Sequence, residues 1–439
     1  MIKLSDHFSY KKLIKYSIPT ILMMIFTSVY CVVDGFFVSN FAGKTAFDAL
    51  NFIIPLLLIL GSIGFMFGSG SAALIGKTLG EGNKEKANSI FSFIIVASII
   101  TSIILAIFGF IFIKPIALLM GAEEYLLNDA IIYGRILFVS LPFYVLQFEF
   151  QCLFATSEKP KLGLIVTLIA GCANMALDAL FVGLFKFGIA GAALATAISQ
   201  ALGAIIPLIY FTLPNKSLLR FSKFKFDLKV LLKVCTNGSS ELISNVSMSI
   251  VSILYNYQLL KFDNGITAYG VLMYVSMIFQ AIFIGFTVGT SPIVSYHYGA
   301  NNPSELKNVL KKSLVLITIF AIVMFVSGEL FARPIAYIFF SKNLEVMNLT
   351  EHAFKIFSIS FLFTGFTFHA SSFFTALNNG LVSMIVSSLR TIVFYIASIL
   401  ILPIFFGLDG IWTSIVVAEG LGFVTSFIFI FSNKKKYKY

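Results

Sequence analysis

The chain has 439 residues, of which 58% are hydrophobic and only 12% charged, where a soluble domain carries about 25% charged residues. With a mean hydropathy of +0.95, a single soluble core is excluded and a polytopic membrane protein remains. The formal charge of +11 would suit a nucleic-acid ligand, but the placement of the cations, traced below, argues against one.

The first apolar run, residues 14–37, has no small-residue cleavage site and reads as a retained helix. A span needs ~20 apolar residues. On that measure the fold class is all-α, with twelve transmembrane helices in two pseudo-symmetric six-helix bundles. They are expected at 13–39, 46–70, 87–112, 126–155, 161–184, 188–211, 234–259, 266–293, 308–331, 349–376, 381–403 and 408–431. Turn residues mark the connections: Gly80 to Asn83, Glu158 to Pro160, Asn301 to Pro303 and Asn378 to Gly380. Of the 31 lysines and arginines, 22 fall on one set of helix ends and 6 on the other. That bias places both termini in the cytoplasm of a multi-pass protein of the cell membrane. The basic residues are thus topology signals spread over several loops, and no nucleic-acid partner is expected. The tail from Asn433 to Tyr439 could also meet anionic lipid.

An internal repeat runs at an offset of 219 residues. Residues 68–83 lie over 288–302, with Gly70 on Gly289 and Gly80 on Gly299, and residues 188–196 lie over 407–415 with both glycine pairs in register. The expected lobes are 1–212 and 234–439, joined by a basic linker at 213–233. Two parallel bundles around a cavity are a transporter architecture, in which one half rocks against the other.

The most informative stretch is 171–196, long enough to cross a membrane yet holding Asn174 and Asp178 four residues apart, on one helical face. A carboxylate among lipid-facing apolar residues costs roughly 2.5 kcal/mol or more, so such an acid faces a bundle interior or a wet cavity. Asp34 lies near the outer end of the first helix, and Thr196 about 12 Å below the outer surface on the sixth. Asp34, Asn174, Asp178 and Thr196 can therefore share one pocket in the outer half of the N-terminal lobe. On the 219 offset they map to Ile253, Val393, Ala397 and Ile415, so the second lobe keeps the scaffold without the acids. A close pair of acids titrates as a coupled unit, and exchange of a proton for a cationic drug follows as direct competition. A sodium ion could use the same oxygens. The alternative is that the acids bond backbone or Asn174 and only lock helices together.

Other polar residues inside the spans are candidates of a second kind. Arg390 and Glu419 sit in the middle of the last two helices, as a structural ion pair or as a gate or substrate contact. Glu149 and Glu241 lie toward the inner ends of their helices as candidate substrate or gating contacts, Glu241 as a cation lure, with solvated helix ends as the alternative for both. Pro19, fifteen residues before Asp34, permits a kink and is a candidate hinge. The histidines lack ligand spacing, and His369 is expected to be packed. The four cysteines, Cys31, Cys152, Cys172 and Cys235, read as small buried hydrophobes and not as disulfides or metal ligands. No cofactor and no resident metal are expected. Fifty phenylalanines follow from a compositional bias toward Ile, Lys and Asn as much as from any binding site.

In combination, Val33 to Val38 ending the first helix, the glycine-rich 68–82, Asn174-x-x-x-Asp178, the run 188–196 and Tyr298-Gly299-Ala300 resemble one family. It is that of the multidrug and toxic compound extrusion (MATE) transporters, in the bacterial branch that includes the MepA-type exporters. The resemblance covers nearly the whole chain. It implies two six-helix lobes and export of organic cations by H⁺ or Na⁺ antiport. It also implies a cation site at Asp34, Asn174, Asp178 and Thr196 and a bending role for Pro19. Another branch of the family keeps coupling acids in the C-terminal lobe, but the tenth helix here carries none past its outer end. A lipid-linked precursor flippase of related fold is the alternative. It would need several cavity cations for a diphosphate, and only Arg390 is available. No nucleophile–base pair for an intramembrane enzyme is present, nor a phosphate loop for ATP-driven transport. The protein is expected to act as a monomer.

Overall fold

The computed structural model describes residues 2–341 and 343–439. Lys342, one of the basic residues counted on the outer loops, lies outside the described residues. Helix α1 (Tyr10–Phe37) starts at Ser9, whose Oγ accepts from the Lys12 amide at 3.3 Å, and ends in a π-helical turn, Val38–Ala42. It is followed by α2 (Lys44–Gly80), α3 (Lys84–Leu119), α4 (Glu124–Thr156) and α5 (Pro160–Asp178), which runs into a second π turn, Ala179–Leu184. Helix α6 (Gly188–Thr212) closes the first bundle. The second comprises α7 (Leu228–Leu259), α8 (Gly265–Gly299), α9 (Pro303–Phe340) and α10, two limbs (Leu344–Ser358 and Phe361–Ala376) bent by 47°. Helix α11 begins as Gly380–Ser388 and passes through a third π turn, Leu389–Phe394. The run Tyr395–Tyr437 is broken at Gly407 (φ 55°, ψ −129°), so its first limb completes α11 and its second, 408–437, is α12. A positive φ of this kind is one that glycine adopts at little cost.

Among the described residues there is no strand, and nine helices are long and apolar enough to cross a membrane, or ten with the bent pair as one. The twelve-helix count is reached because Gly380–Tyr437 holds two spans and because α7, with Asn237, Ser240 and Glu241, is too polar to register. Helices extend beyond the apolar runs at many ends, since caps and not hydropathy set their limits. Asn83 Oδ1 accepts from the Lys86 amide at 3.0 Å, and Asn302 Oδ1 from the Glu305 amide at 3.2 Å. These two caps are 219 residues apart, as are Gly82 and Asn301, both at positive φ.

The same offset relates the contacts between lobes. Helix α1 packs on α8, and its counterpart α7 packs on α2, while α2 meets α8 across the middle. Glycines allow the approach. A Cβ on Gly80 would strike the Tyr296 carbonyl, and one on Gly299 would strike that of Lys77, which is the same contact in each half. Gly238 lies on the Met66 carbonyl, and Gly285 and Gly289 lie on Thr20 and Ser17. The Gly80, Gly299 and Gly238 contacts draw the lobes together at the termini-bearing end.

That end is also tied by residues 2–9. The Leu4 amide donates to Glu158 Oε1 of the first lobe at 2.6 Å. The Phe8 amide donates to Glu305 Oε1 of the second at 2.9 Å, and His7 Nδ1 meets Glu305 Oε2 at 2.8 Å. Asn308 and Lys312 donate to the Phe8 carbonyl at 3.0 and 2.7 Å, and the Leu4 and Phe8 side chains are fully buried. Glu305→Ala leaves a buried amide without its acceptor, at a cost of about 1–3 kcal/mol. It is expected to lower the thermal midpoint and to broaden the distances between spin labels on the two lobes at this end, measured by double electron–electron resonance.

Candidate functional site

Asp34 and Asp178 each sit in the last turn of their α-helix, immediately before a π turn. Such turns widen the helix and are frequent at functional sites. The two carboxyls lie within hydrogen-bonding reach of one another. Two carboxyl groups this close need a cation between them, either a proton or a metal ion. Asp178 is fully buried, and neither of its oxygens has a donor among the described residues; the same holds for Oδ1 of Asp34. Asn174, one turn earlier on the same face of α5, is 1% exposed with Oδ1 unpartnered. Thr196 is half-buried with an unpartnered Oγ1, five residues past Gly191, whose backbone lies on Phe181 in the π turn of α5. Buried polar atoms are nearly always bonded, so five unpartnered oxygens on these four residues, four of them acceptors only and one the Thr196 hydroxyl, form a set open to a cation. Among the described residues no group of three His, Cys, Asp or Glu side chains is placed to hold a metal ion.

A wall of phenols backs this set, and sequence reasoning missed it. Tyr133 lies close enough to feel both acids, and Tyr30 is close to Asp34 and to Gln147. The Tyr30 ring fills the space over Gly171, and the Tyr144 ring that over Gly61. Ser140 donates to Gln200 Oε1 at 2.7 Å. The available signal was in α4, where Tyr133, Ser140, Tyr144, Gln147 and Gln151 recur at steps of seven, four, three and four, a single polar stripe.

The polar centre of the second lobe is built differently. Arg390, in the third π turn, donates through Nε to both Glu419 oxygens at 3.1 Å and through Nη2 to Oε1 at 2.6 Å. Tyr395 donates to Oε1 at 2.6 Å and Thr367 to Oε2 at 3.3 Å, and the guanidinium lies 4.2 Å from the Phe368 ring centre. Every Glu419 oxygen is satisfied. Glu241, half-buried on α7, faces the same arginine from farther away.

One alternative, for Glu149, and one expectation, for the cysteines, need correcting. Glu149 is not a solvated helix end: it is fully buried, and its Oε2 accepts from Ser98 at 2.6 Å. The reason is Gly68, which lets α2 close over α4 at that level. Of the cysteines, all free, only Cys152 is buried, while Cys31 and Cys172 are exposed. Apolar runs do not separate residues facing lipid or cavity from residues facing protein. Pro19 is buried within a continuous α1, beside the Thr20 and Ser17 contacts with α8. His369 is packed between Phe286 and Phe373.

Comparison with known proteins agrees with this architecture. The model of the MatE family matches residues 19–180 and 240–401, one copy in each lobe. The chain is 23% identical over 425 residues to the multidrug export protein MepA of Staphylococcus saprophyticus, covering 96% of this chain and 93% of the relative. It is 25% identical to MepA of Staphylococcus haemolyticus, covering 95% and 93%. Among solved structures, a MATE protein in complex with MaL6 superposes with a TM-score of 0.93 at 21% identity, covering 98% of each chain. An outward-facing multidrug resistance MATE transporter superposes with 0.90 at 22% identity, covering 98% of this chain and 97% of that one. With twelve helices, a duplicated lobe and a family match across both copies, the chain belongs to the MatE family of membrane transporters.

Proposed function

We propose that the protein exports lipophilic organic cations by antiport against H⁺ or Na⁺, with alternating access between its lobes and both termini in the cytoplasm of the cell membrane. The observation that carries this reading is the cluster of unpartnered oxygens on Asp34, Asp178, Asn174 and Thr196, confined to one lobe. A small cation satisfies it, and its arrival or departure is what a larger cation can be exchanged for. The lobes meet closely at the termini-bearing end, which is the arrangement that an outward-facing state requires. Rotation about the glycine contacts then exposes it to the other side, with Pro19 as the point where α1 bends. The printed names of the relatives support drugs as the cargo. A flippase for anionic diphosphates fits less well, because Glu419 already neutralises Arg390.

Reconstituted in liposomes, the wild type is expected to move a fluorescent lipophilic cation when either an H⁺ or a Na⁺ gradient is imposed, and the effective gradient names the coupling ion. Asp34→Asn and Asp178→Asn are each expected to reduce gradient-driven transport to background. Undiminished transport in the double variant would refute the coupling site. For the second lobe we assign Arg390 and Glu419 a structural role. Arg390→Met alone strands a buried carboxylate and is expected to cost about 3–5 kcal/mol, read as lost thermal stability. Arg390→Met with Glu419→Leu is expected to regain most of that stability and to retain transport.

A further inference from the structure

The repeat predicts a groove at the inner end of each lobe junction, and the two grooves have diverged. One lies among α8, α9 and α1, and the chain's own residues 2–9 occupy it. Phe8 stands edge-on to His297 with ring centres 6.5 Å apart, and Glu305 takes its amide. The other, among α2, α3 and α7, is an open cavity of about 250 Å³. The segment that would correspond to the filler, just before α7, runs along α3 instead. Ser222 donates its amide to Ser92 at 2.8 Å, and Phe224 and Phe226 pack on Phe93.

The charge of the open groove is opposite to that of the filled one. Its walls carry Lys77, Lys86, Lys229 and Lys233 against one acid, Glu81, over an apolar floor that includes Leu74 and Val230. At the positions 219 residues away the other half has Tyr296, Glu305, Tyr10 and Ile14. The position of Glu305, which receives the Phe8 amide, is therefore taken by Lys86. Lys77 reaches Glu81 at 3.5 Å, and Lys233 donates to the Asn378 carbonyl at 2.7 Å. Lys77 and Lys233 also lie close enough to repel. Lys86 and Lys229 form no ion pair among the described residues. Membrane topology calls for cations on this face, but it does not call for four of them, from three helices, to converge on one cavity with an apolar floor. Basic pockets between helices on the cytoplasmic side suit acidic head groups.

We propose that this groove binds a net-anionic phosphate group and that the bound phosphate clamps Lys77 and Lys86 of one lobe to Lys229 and Lys233 of the other, holding the inner end closed. A phospholipid head group and a soluble phosphate ester share that chemistry. The orientation rests on the reading given above, but the test does not depend on transport, so the two can fail separately. Purified full-length protein in a neutral detergent is titrated with short-chain phosphatidylglycerol, with phosphatidylcholine and with glycerol 3-phosphate. Retained adducts are counted by native mass spectrometry. Phosphatidylglycerol is expected to be retained at least tenfold better than phosphatidylcholine, and K86Q with K229Q to remove that preference. Neutralising Lys434, Lys435 and Lys436 of the tail is expected to leave it intact. Displacement by glycerol 3-phosphate assigns the site to a soluble ester, and resistance to it assigns the site to the lipid. Because both exposed lysines lie outside the packed core, a matching thermal midpoint certifies the variant's fold, and K86A alone serves as a second variant. Equal retention of the two lipids by the wild type, or an unchanged preference in both lysine variants, overturns the proposal. For the clamp, phosphatidylglycerol is expected to narrow the interlobe distances at the inner end in wild type but not in K86Q with K229Q. An identical response in the two would overturn it.

Discussion

An acid carried into an apolar bundle must meet a positive charge or a donor there, and the two lobes answer that demand in opposite ways. Glu419 is met by Arg390, Tyr395 and Thr367, so that its oxygens are satisfied inside the protein. Asp178 is met only by a second acid, and the oxygens around it lack donors. A satisfied pair has no reason to exchange its partner. An unsatisfied pair calls for one from solution, and this difference is the ground for the coupling role proposed for the acids and the structural role proposed for Arg390 and Glu419.

The lobes are held together at the termini-bearing end by close backbone packing. The glycines at the lobe interface leave room for backbone carbonyls and for nothing larger, so the contact is either fully made or broken. Interfaces of this kind are bistable, not gradually deformable, which is the property that alternating access needs. The strap formed by residues 2–9 adds bonds to both lobes on the same face. On the other side of the pseudo-twofold the related groove is open among the described residues and lined by lysines.

Much of this was legible in the residues. Hydropathy found the spans, and the offset of 219 predicted a duplicated lobe, which the structure extends to contacts that occur twice and to paired asparagine caps. The four-residue spacing of Asn174 and Asp178, with the depth of Asp34, placed them on one side of one lobe. The phenols Tyr30 and Tyr133 were not legible, because seventeen tyrosines and fifty phenylalanines hide which ring faces a cavity. The burial of Glu149, which excludes the solvated-end alternative, was not legible because it depends on a glycine eighty-one residues away in sequence.

What the sequence alone determined is therefore one-dimensional: spans, the duplication and the residues that have no place in lipid, all consequences of local composition and of the period of a helix. What the tertiary structure decided is pairing. Whether an acid finds Arg390 or another acid, and whether a groove is filled by the chain or left open, depends on contacts between segments hundreds of residues apart. No local pattern encodes those contacts, because they are fixed by how closely backbones approach where side chains are absent.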